Sequence, residues 1–218
     1  GIYNDAEHKK IYANGYPVLV SGNTVKYYDA GAKAARTALN SGAASQAFAG
    51  DGYSVYGGGY QQDVASTDVH IQNFSVAGVS IYGGGLDDKV TGNSTVDLIE
   101  NVSISGVSVY GGGENGAIGG NVNFTASTGS TNAVILYGAG KGGSVAGNVT
   151  LKVSATGKCG AIYGGGRDCA VTGDILTTVT SNNNPSEFTF ISGGAETSTT
   201  GNASAKSITL ELNGGVQV

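Results

Sequence analysis

The chain has 218 residues, of which 39 are glycine and only 12% are charged, and its formal net charge is −5. Nucleic acid is not expected as a partner, because phosphate recognition needs a concentrated basic surface. No apolar run approaches the ~18 residues of a membrane-spanning helix, and a chain that is 39% hydrophobic with a modest net charge is not expected to be disordered.

The two ends of the chain indicate an excised piece of a longer protein. Residues 1–10 are polar and do not form a secretory signal, and residues 210–218 still have the character of strand and turn. We therefore interpret residues 1–218 as one domain and as a monomeric segment of a larger chain.

Residues 24–52 differ in composition from the rest of the sequence. The alanine-rich run 29–40, with Asp29 as an N-cap and Gly42 as a stop signal, predicts a short helix. We expect this insertion to cap one end or flank of the domain, where it would cover exposed strand edges. The alternative is an insertion that binds a partner.

A repeat of about 27 residues fills residues 53–215. Tyr-Gly-Gly-Gly occurs four times and Tyr-Gly-Ala-Gly once. An aliphatic residue precedes each tyrosine, and in most copies another follows eight positions later, with Gly-Asn or Gly-Asp at positions ten and eleven. Residues 11–23 follow part of the same pattern, and residues 191–194 continue it without the aromatic ring. The repeated tyrosines are Tyr56, Tyr82, Tyr110, Tyr137 and Tyr163.

Each copy contains two short runs in which apolar and small polar residues alternate, which is typical of strands. Because so short a repeat cannot bury its apolar side alone, it must stack on its neighbours. We predict an all-β, single-domain parallel β-helix with about 27 residues per coil, about seven coils, and a short inserted helix near the N-terminus. An antiparallel sandwich also fits the strand spacing, but it gives no reason for one motif to recur in register.

Stacked coils would align the five tyrosines in a ladder, for which two interpretations stay open. In the structural one, the rings stack on each other and on glycine backbone and close a corner of the solenoid. In the functional one, they form an exposed aromatic stripe that binds sugar rings or a protein partner. The asparagines at position eleven are interpreted as a structural ladder, and they are Asn23, Asn93, Asn121, Asn148 and Asn202.

The sequence contains no recognisable catalytic or metal-binding motif, so we expect no catalytic residue, no metal and no cofactor. The adjacent pair Asp87 and Asp88 is interpreted as a solvated turn. Cys159 and Cys169 are ten residues apart. They are a candidate local disulfide, suited to an oxidising compartment, the alternative being two buried thiols.

The Tyr-Gly-Gly-Gly and Val-x-Gly-Asn repeats resemble the glycine-rich β-helix repeats of large surface proteins of Gram-positive gut bacteria, within the pectate-lyase-like architecture. The resemblance covers residues 53–215 and 11–23. It implies an extracellular or cell-wall-associated, non-enzymatic, adhesin-like binding module, with a host surface glycan or glycoprotein, mucin or immunoglobulin as candidate ligand. The alternatives are a structural spacer without a ligand and a carbohydrate-active enzyme, either a polysaccharide lyase or a hydrolase.

Overall fold

A computed structural model describes the side chains of residues 54–59, 62–72, 80–99, 102, 108–127, 134–181, 186–197 and 204–218. Elsewhere it describes only the backbone of residues that lie in strands. In chain order the strands are β1 (Ile2–Asn4), β2 (Lys10–Ala13), β3 (Val18–Val20), β4 (Thr24–Asp29), β5 (Ala34–Asn40), β6 (Gln46–Tyr56), β7 (Ser66–Gln72), β8 (Phe74–Tyr82), β9 (Ser94–Ser105), β10 (Ser108–Tyr110), β11 (Val122–Thr128), β12 (Thr131–Tyr137), β13 (Val149–Ala155), β14 (Lys158–Tyr163), β15 (Asp174–Ser181), β16 (Ser186–Ser192), β17 (Ser207–Asn213) and β18 (Val216–Gln217).

From β5 onward the strands stack as coils of a parallel solenoid. At the N-terminal end β2 pairs in parallel with β6, whereas the pairs β1–β2, β3–β4 and β4–β5 are antiparallel. One wall, sheet A, is formed by β6, β8, β10, β12, β14, β16 and β18. The opposite wall, sheet B, is formed by β5, β7, β9, β11, β13, β15 and β17, and the end of β9 also pairs with β8 in sheet A.

The predicted parallel β-helix is confirmed, since the chain is an all-β parallel solenoid with about 27 residues per turn. The predicted number of about seven coils is not confirmed, because the structure shows about five turns. The sequence predicted a further coil at residues 11–23, where β2 pairs in parallel with β6 from Lys10↔Ser54 to Tyr12↔Tyr56. Residues 14–17 and 21–23 lie outside the described residues. No helix long and apolar enough to cross a bilayer occurs among the residues described.

The short helix predicted within residues 24–52 is not confirmed either. The backbone of this segment contains β4 and β5, which pair antiparallel, and β5 pairs in parallel with β7 from Ala34↔Ser66 to Asn40↔Gln72. The helix preference of alanine is only a few tenths of a kcal/mol per residue over most residue types. The backbone hydrogen bonds that β5 gains along its whole length by pairing with β7 outweigh that preference. Residues 30–33 and 41–45 of the segment lie outside the described residues.

Side chains alternate between the two faces of each strand, and those that point inward form the core. In sheet A the aliphatic residue before each tyrosine points inward and is at most 4% exposed. In sheet B the inward rows include Val96, Phe124 and Leu151, which pack against those of sheet A. A third wall consists of single parallel bridges between the residues eight positions after each tyrosine, and these form a second apolar cluster. The bridged residues are Val64, Val90, Ile118, Val145 and Val171.

The asparagines at position eleven form the predicted ladder. The Oδ1 of Asn93 accepts a hydrogen bond of 2.8 Å from the backbone N–H of Asn121, whose Oδ1 accepts one of 2.8 Å from Asn148. Asn148 continues the series to the backbone N–H of Asp174 at 2.9 Å. Each side chain therefore satisfies a backbone donor of the following coil. Two further members expected from the sequence, residues 23 and 202, lie outside the described residues.

The glycine after each tyrosine lies directly against the neighbouring coil. A Cβ atom at Gly111 would lie 2.2 Å from the carbonyl oxygen of Gly138, and one at Gly138 would lie 2.0 Å from that of Gly164. Both separations are far below van der Waals contact, and the opposing atoms belong to backbone that cannot move alone. The motif requires glycine here because the coils approach so closely.

We therefore expect Gly111→Ala to lower the free energy of unfolding by about 1–3 kcal/mol or more, the usual cost of overpacking a tight interior. The matched control is Gly194→Ala, where the nearest atom to a new Cβ is the flexible Cδ1 of Ile208 at 3.3 Å. Urea unfolding followed by circular dichroism measures both. Equal midpoints for the two variants would contradict the close approach of the coils.

Candidate functional site

The five repeated tyrosines form a continuous stack along the solenoid, here called the tyrosine column (Tyr56, Tyr82, Tyr110, Tyr137 and Tyr163). Successive ring centroids are 5.0, 4.8, 4.5 and 5.2 Å apart, and successive ring planes differ by 3–9°. The stack follows from the backbone register, in which each tyrosine pairs with the tyrosine of the next coil. This arrangement is the ladder expected from the sequence.

Most of the tyrosine column is buried. Tyr56, Tyr82, Tyr110 and Tyr137 are at most 3% exposed, and they form an apolar cluster of their own beside Leu86. Tyr163 is half-buried. The rings therefore lie outside sheet A but beneath the turn that follows them. The geometry fits the structural interpretation of the tyrosines, and the first four rings do not offer the open face that an aromatic stripe needs for a sugar ring.

A row of charged residues, here called the charged rim, lies beside the hydroxyl ends of the column. Its members, Glu114, Lys141, Arg167 and Glu196, each come four positions after a column residue or after Ser192, which occupies the next register position. Lys141 Nζ lies 3.1 Å from Glu114 Oε1, and Arg167 Nε lies 3.4 Å from Glu196 Oε2. Two carboxylates thus balance two cations, all partly exposed.

The charged rim also binds the tyrosine hydroxyls. Tyr137 donates a hydrogen bond of 2.5 Å to Glu196 Oε2, and Tyr56 donates one to Glu114 Oε2. The Arg167 guanidinium instead acts on Tyr110, whose pKa it lowers against the effect of burial. Buried phenols need such partners, since an unpaired hydroxyl in a packed interior costs free energy.

Burial is the main reason that the pKa values of the column tyrosines are raised. Burial is the largest cause of the raised pKa of Tyr56, Tyr82 and Tyr137. A nearby carboxylate of the charged rim raises each of these pKa values further. Burial also raises the pKa of Tyr110, although Ser108, Lys141 and Arg167 oppose the shift. The phenols are therefore neutral hydrogen-bond donors throughout the physiological pH range.

The charged rim was not predicted from the sequence. The sequence does contain a pattern that indicates it. The position four residues after the tyrosine is occupied by Leu86, Glu114, Lys141 and Arg167 in successive copies. Opposite charges at the same position of neighbouring copies predict ion pairs once the coils are known to stack in register. The partnership of Glu196 with Tyr137 joins coils that are two apart, which inspection of adjacent copies does not reveal.

The two cysteines are buried thiols, so the candidate disulfide is not formed. Cys159 belongs to the core between sheets A and B, whereas Cys169 belongs to the cluster behind the third wall. The ten-residue spacing places the two side chains at different points around one coil. Burial raises the pKa of the Cys169 thiol to about 11.

The adjacent acidic pair lies at the surface of the solenoid. Asp87 is exposed and accepts a hydrogen bond of 2.9 Å from the Asn115 side chain in the next coil, and Asp88 is half-buried. No group of three metal-ligating side chains occurs among the described residues. Asp87 therefore serves as one more contact from coil to coil.

The fold and the column together define a parallel β-solenoid with an internal tyrosine ladder. No protein-family model, curated protein or solved structure matches the chain. The resemblance to repeats of Gram-positive surface proteins therefore stays a prediction.

The raised tyrosine pKa values predict a loss of stability at high pH. The unfolded chain loses its phenolic protons near pH 10, whereas the folded column keeps them to higher pH. The stabilising contribution is thus complete below about pH 10 and falls as the pH rises toward the folded pKa. Thermal unfolding between pH 8 and 11.5 should show a falling midpoint above about pH 10. Ionisation of all twelve tyrosines near pH 10 in the folded protein would contradict the burial of the column.

The cysteine environment predicts slow modification. At pH 8 on the order of one Cys169 in a thousand is the reactive thiolate, so the folded protein should react slowly at this residue with a disulfide reagent such as dithionitrobenzoate. Unfolding without a reductant should release two thiols per chain. Absence of thiols in the unfolded, unreduced protein would instead demonstrate the disulfide.

Proposed function

We propose that the chain is a non-enzymatic structural module, a rigid β-solenoid spacer of an extracellular or cell-wall-associated protein. The observation that carries this proposal is the burial of the tyrosine column. The most distinctive residues of the repeat pack against their own copies, so they serve to hold one coil on the next.

Other repeated positions support the same conclusion. The aliphatic columns fill the interior, the asparagine side chains bond to the backbone of the following coil, and the glycines permit close approach. The charged rim is occupied by internal ion pairs and tyrosine hydroxyls. Each of these positions is explained by contacts that hold one coil on the next, and none of them requires a ligand.

Adhesin-like binding of a host glycan or glycoprotein is the second candidate, and it is favoured by the outer face of sheet B. Outward-pointing polar residues form aligned rows there, with Asn123 beside Thr150 and Thr125 beside Lys152. Asn123 and Lys152 are exposed. A flat polar face of this kind presents hydroxyl, amide and ammonium groups to a sugar surface.

Rigidity is tested by amide hydrogen exchange. For a rigid spacer we expect the corner amides of Gly83, Gly111 and Gly138, which bond to the carbonyl of the next coil, to be among the slowest to exchange. Exchange of these amides as fast as in the urea-unfolded chain would overturn the spacer proposal.

Ligand binding is tested by titration with mucin and plant oligosaccharides and with immunoglobulin. Tyrosine fluorescence reports on the column, and calorimetry reports on any other surface. A spacer predicts no saturable signal by either method. Saturable heat that is lost in Lys152→Ala, but kept in Lys206→Ala on another exposed site, would support the adhesin-like candidate instead. Saturable fluorescence change lost in Tyr163→Ala would restore the aromatic stripe.

A further inference from the structure

The tyrosine column provides an uninterrupted path of aromatic rings through the protein. The rings are 4.5–5.2 Å apart and nearly parallel from Tyr56 to Tyr163. Neutral rings gain little from facing each other directly, because their quadrupoles repel. A ring that has lost an electron carries positive charge, however, and the π faces of its neighbours stabilise that charge as they stabilise other cations.

Two rings of the column have a proton acceptor in place. The Tyr137 hydroxyl donates to Glu196 and the Tyr56 hydroxyl donates to Glu114. A phenol that loses an electron becomes strongly acidic and must release its proton, and a hydrogen-bonded carboxylate receives it without movement of heavy atoms. Tyr110 differs because the charged group that acts on it is the cation Arg167, which cannot accept a proton.

One end of the column is accessible from solvent. Tyr163 is half-buried, and Phe190 covers it at a centroid distance of 5.2 Å with its ring tilted by 40°. Phe190 is itself 46% exposed. An oxidant in solution therefore reaches the column at Tyr163, whereas the other four rings are shielded.

We propose that the tyrosine column is a relay that carries an oxidising equivalent from Tyr163 to the carboxylate-linked tyrosines Tyr137 and Tyr56. The co-reactant is a one-electron oxidant in solution, which takes an electron from the Tyr163 ring and is itself reduced. Tyr137 then returns an electron to Tyr163, and its phenolic O–H bond breaks as the proton passes to Glu196. The products are neutral Tyr163, a neutral tyrosyl radical at position 137 and protonated Glu196.

The same exchange moves the radical onward. Electrons pass from Tyr110 to Tyr137, from Tyr82 to Tyr110 and from Tyr56 to Tyr82, while Glu196 returns its proton to Tyr137. The phenolic proton of Tyr56 passes to Glu114. Tyr110 and Tyr82 are electron carriers in this sequence, and the radical rests where a carboxylate holds the proton.

The test places the oxidant at the accessible end. A ruthenium polypyridyl complex is attached to Thr189→Cys, an exposed position beside Phe190, and is oxidised to ruthenium(III) by light and persulfate. Nitric oxide, which is small enough to enter the interior, traps tyrosyl radicals, and mass spectrometry of the peptides locates them. The labelled parent protein without Thr189→Cys reports any attachment at the native cysteines.

For a relay we expect trapping at Tyr137 and Tyr56 although both are at most 1% exposed. Tyr110→Phe keeps a ring in the stack but raises its oxidation potential, so trapping at Tyr56 should fall several-fold while trapping at Tyr137 persists. Glu196→Gln should reduce trapping at Tyr137 several-fold. The matched control Glu187→Gln, which removes an exposed carboxylate paired with Lys158, should not.

Trapping confined to Tyr163 would overturn the proposal. So would trapping at Tyr56 that is unchanged by Tyr110→Phe, because the oxidising equivalent would then have reached Tyr56 by another route. Circular dichroism and the thermal midpoint of each variant establish that the fold is intact, and Glu114→Gln provides a second variant if Glu196→Gln fails to fold.

Discussion

The structure depends on the backbone hydrogen bond that joins one coil to the next at the tyrosine corner. The N–H of Gly83 donates to the carbonyl of Tyr110 at 2.9 Å, and the N–H of Gly111 donates to that of Tyr137 at 3.0 Å. Strand pairing therefore continues through the turn and does not stop at the sheet edge. It holds the corner at the strand separation of about 4.8 Å, so the ring spacing of the tyrosine column is a result of the backbone ladder.

Much of this arrangement can be predicted from the sequence, because stacked coils place equivalent positions of the repeat on top of one another. The inward residues, the asparagine ladder and the alignment of the tyrosines all follow from register and alternation. The burial of the rings does not, because it depends on contacts from the turns that follow the tyrosines, such as Leu86 against the rings and Glu114 at the Tyr56 hydroxyl. The alanine-rich run 29–40 also misleads, since a local helix preference says nothing about a neighbouring strand that offers pairing.

The last coils show how the column ends. Ser192 takes the register position of a sixth tyrosine, and Phe190, two residues earlier, packs on Tyr163 in its place. Beyond it, the inward row of β17 remains 39–54% exposed at Ile208, Leu210 and Leu212. Alternation identifies these residues as inward-facing, but the pattern of a single strand does not reveal whether another layer covers it.

The irregularities in register have a consequence for how such a protein changes over evolutionary time. They fall within β6 between Ala49 and Tyr53, near the end of β11 between Ala126 and Thr128, and within β12 between Thr131 and Ile135. All three lie ahead of a tyrosine corner and leave the corner itself regular. Each of the five tyrosine corners therefore offers the same Tyr–Gly junction. Loss of residues 111–137 by unequal recombination would join Tyr110 to Gly138 and recreate that junction, so the gene has a simple means of lengthening or shortening the rod by whole coils.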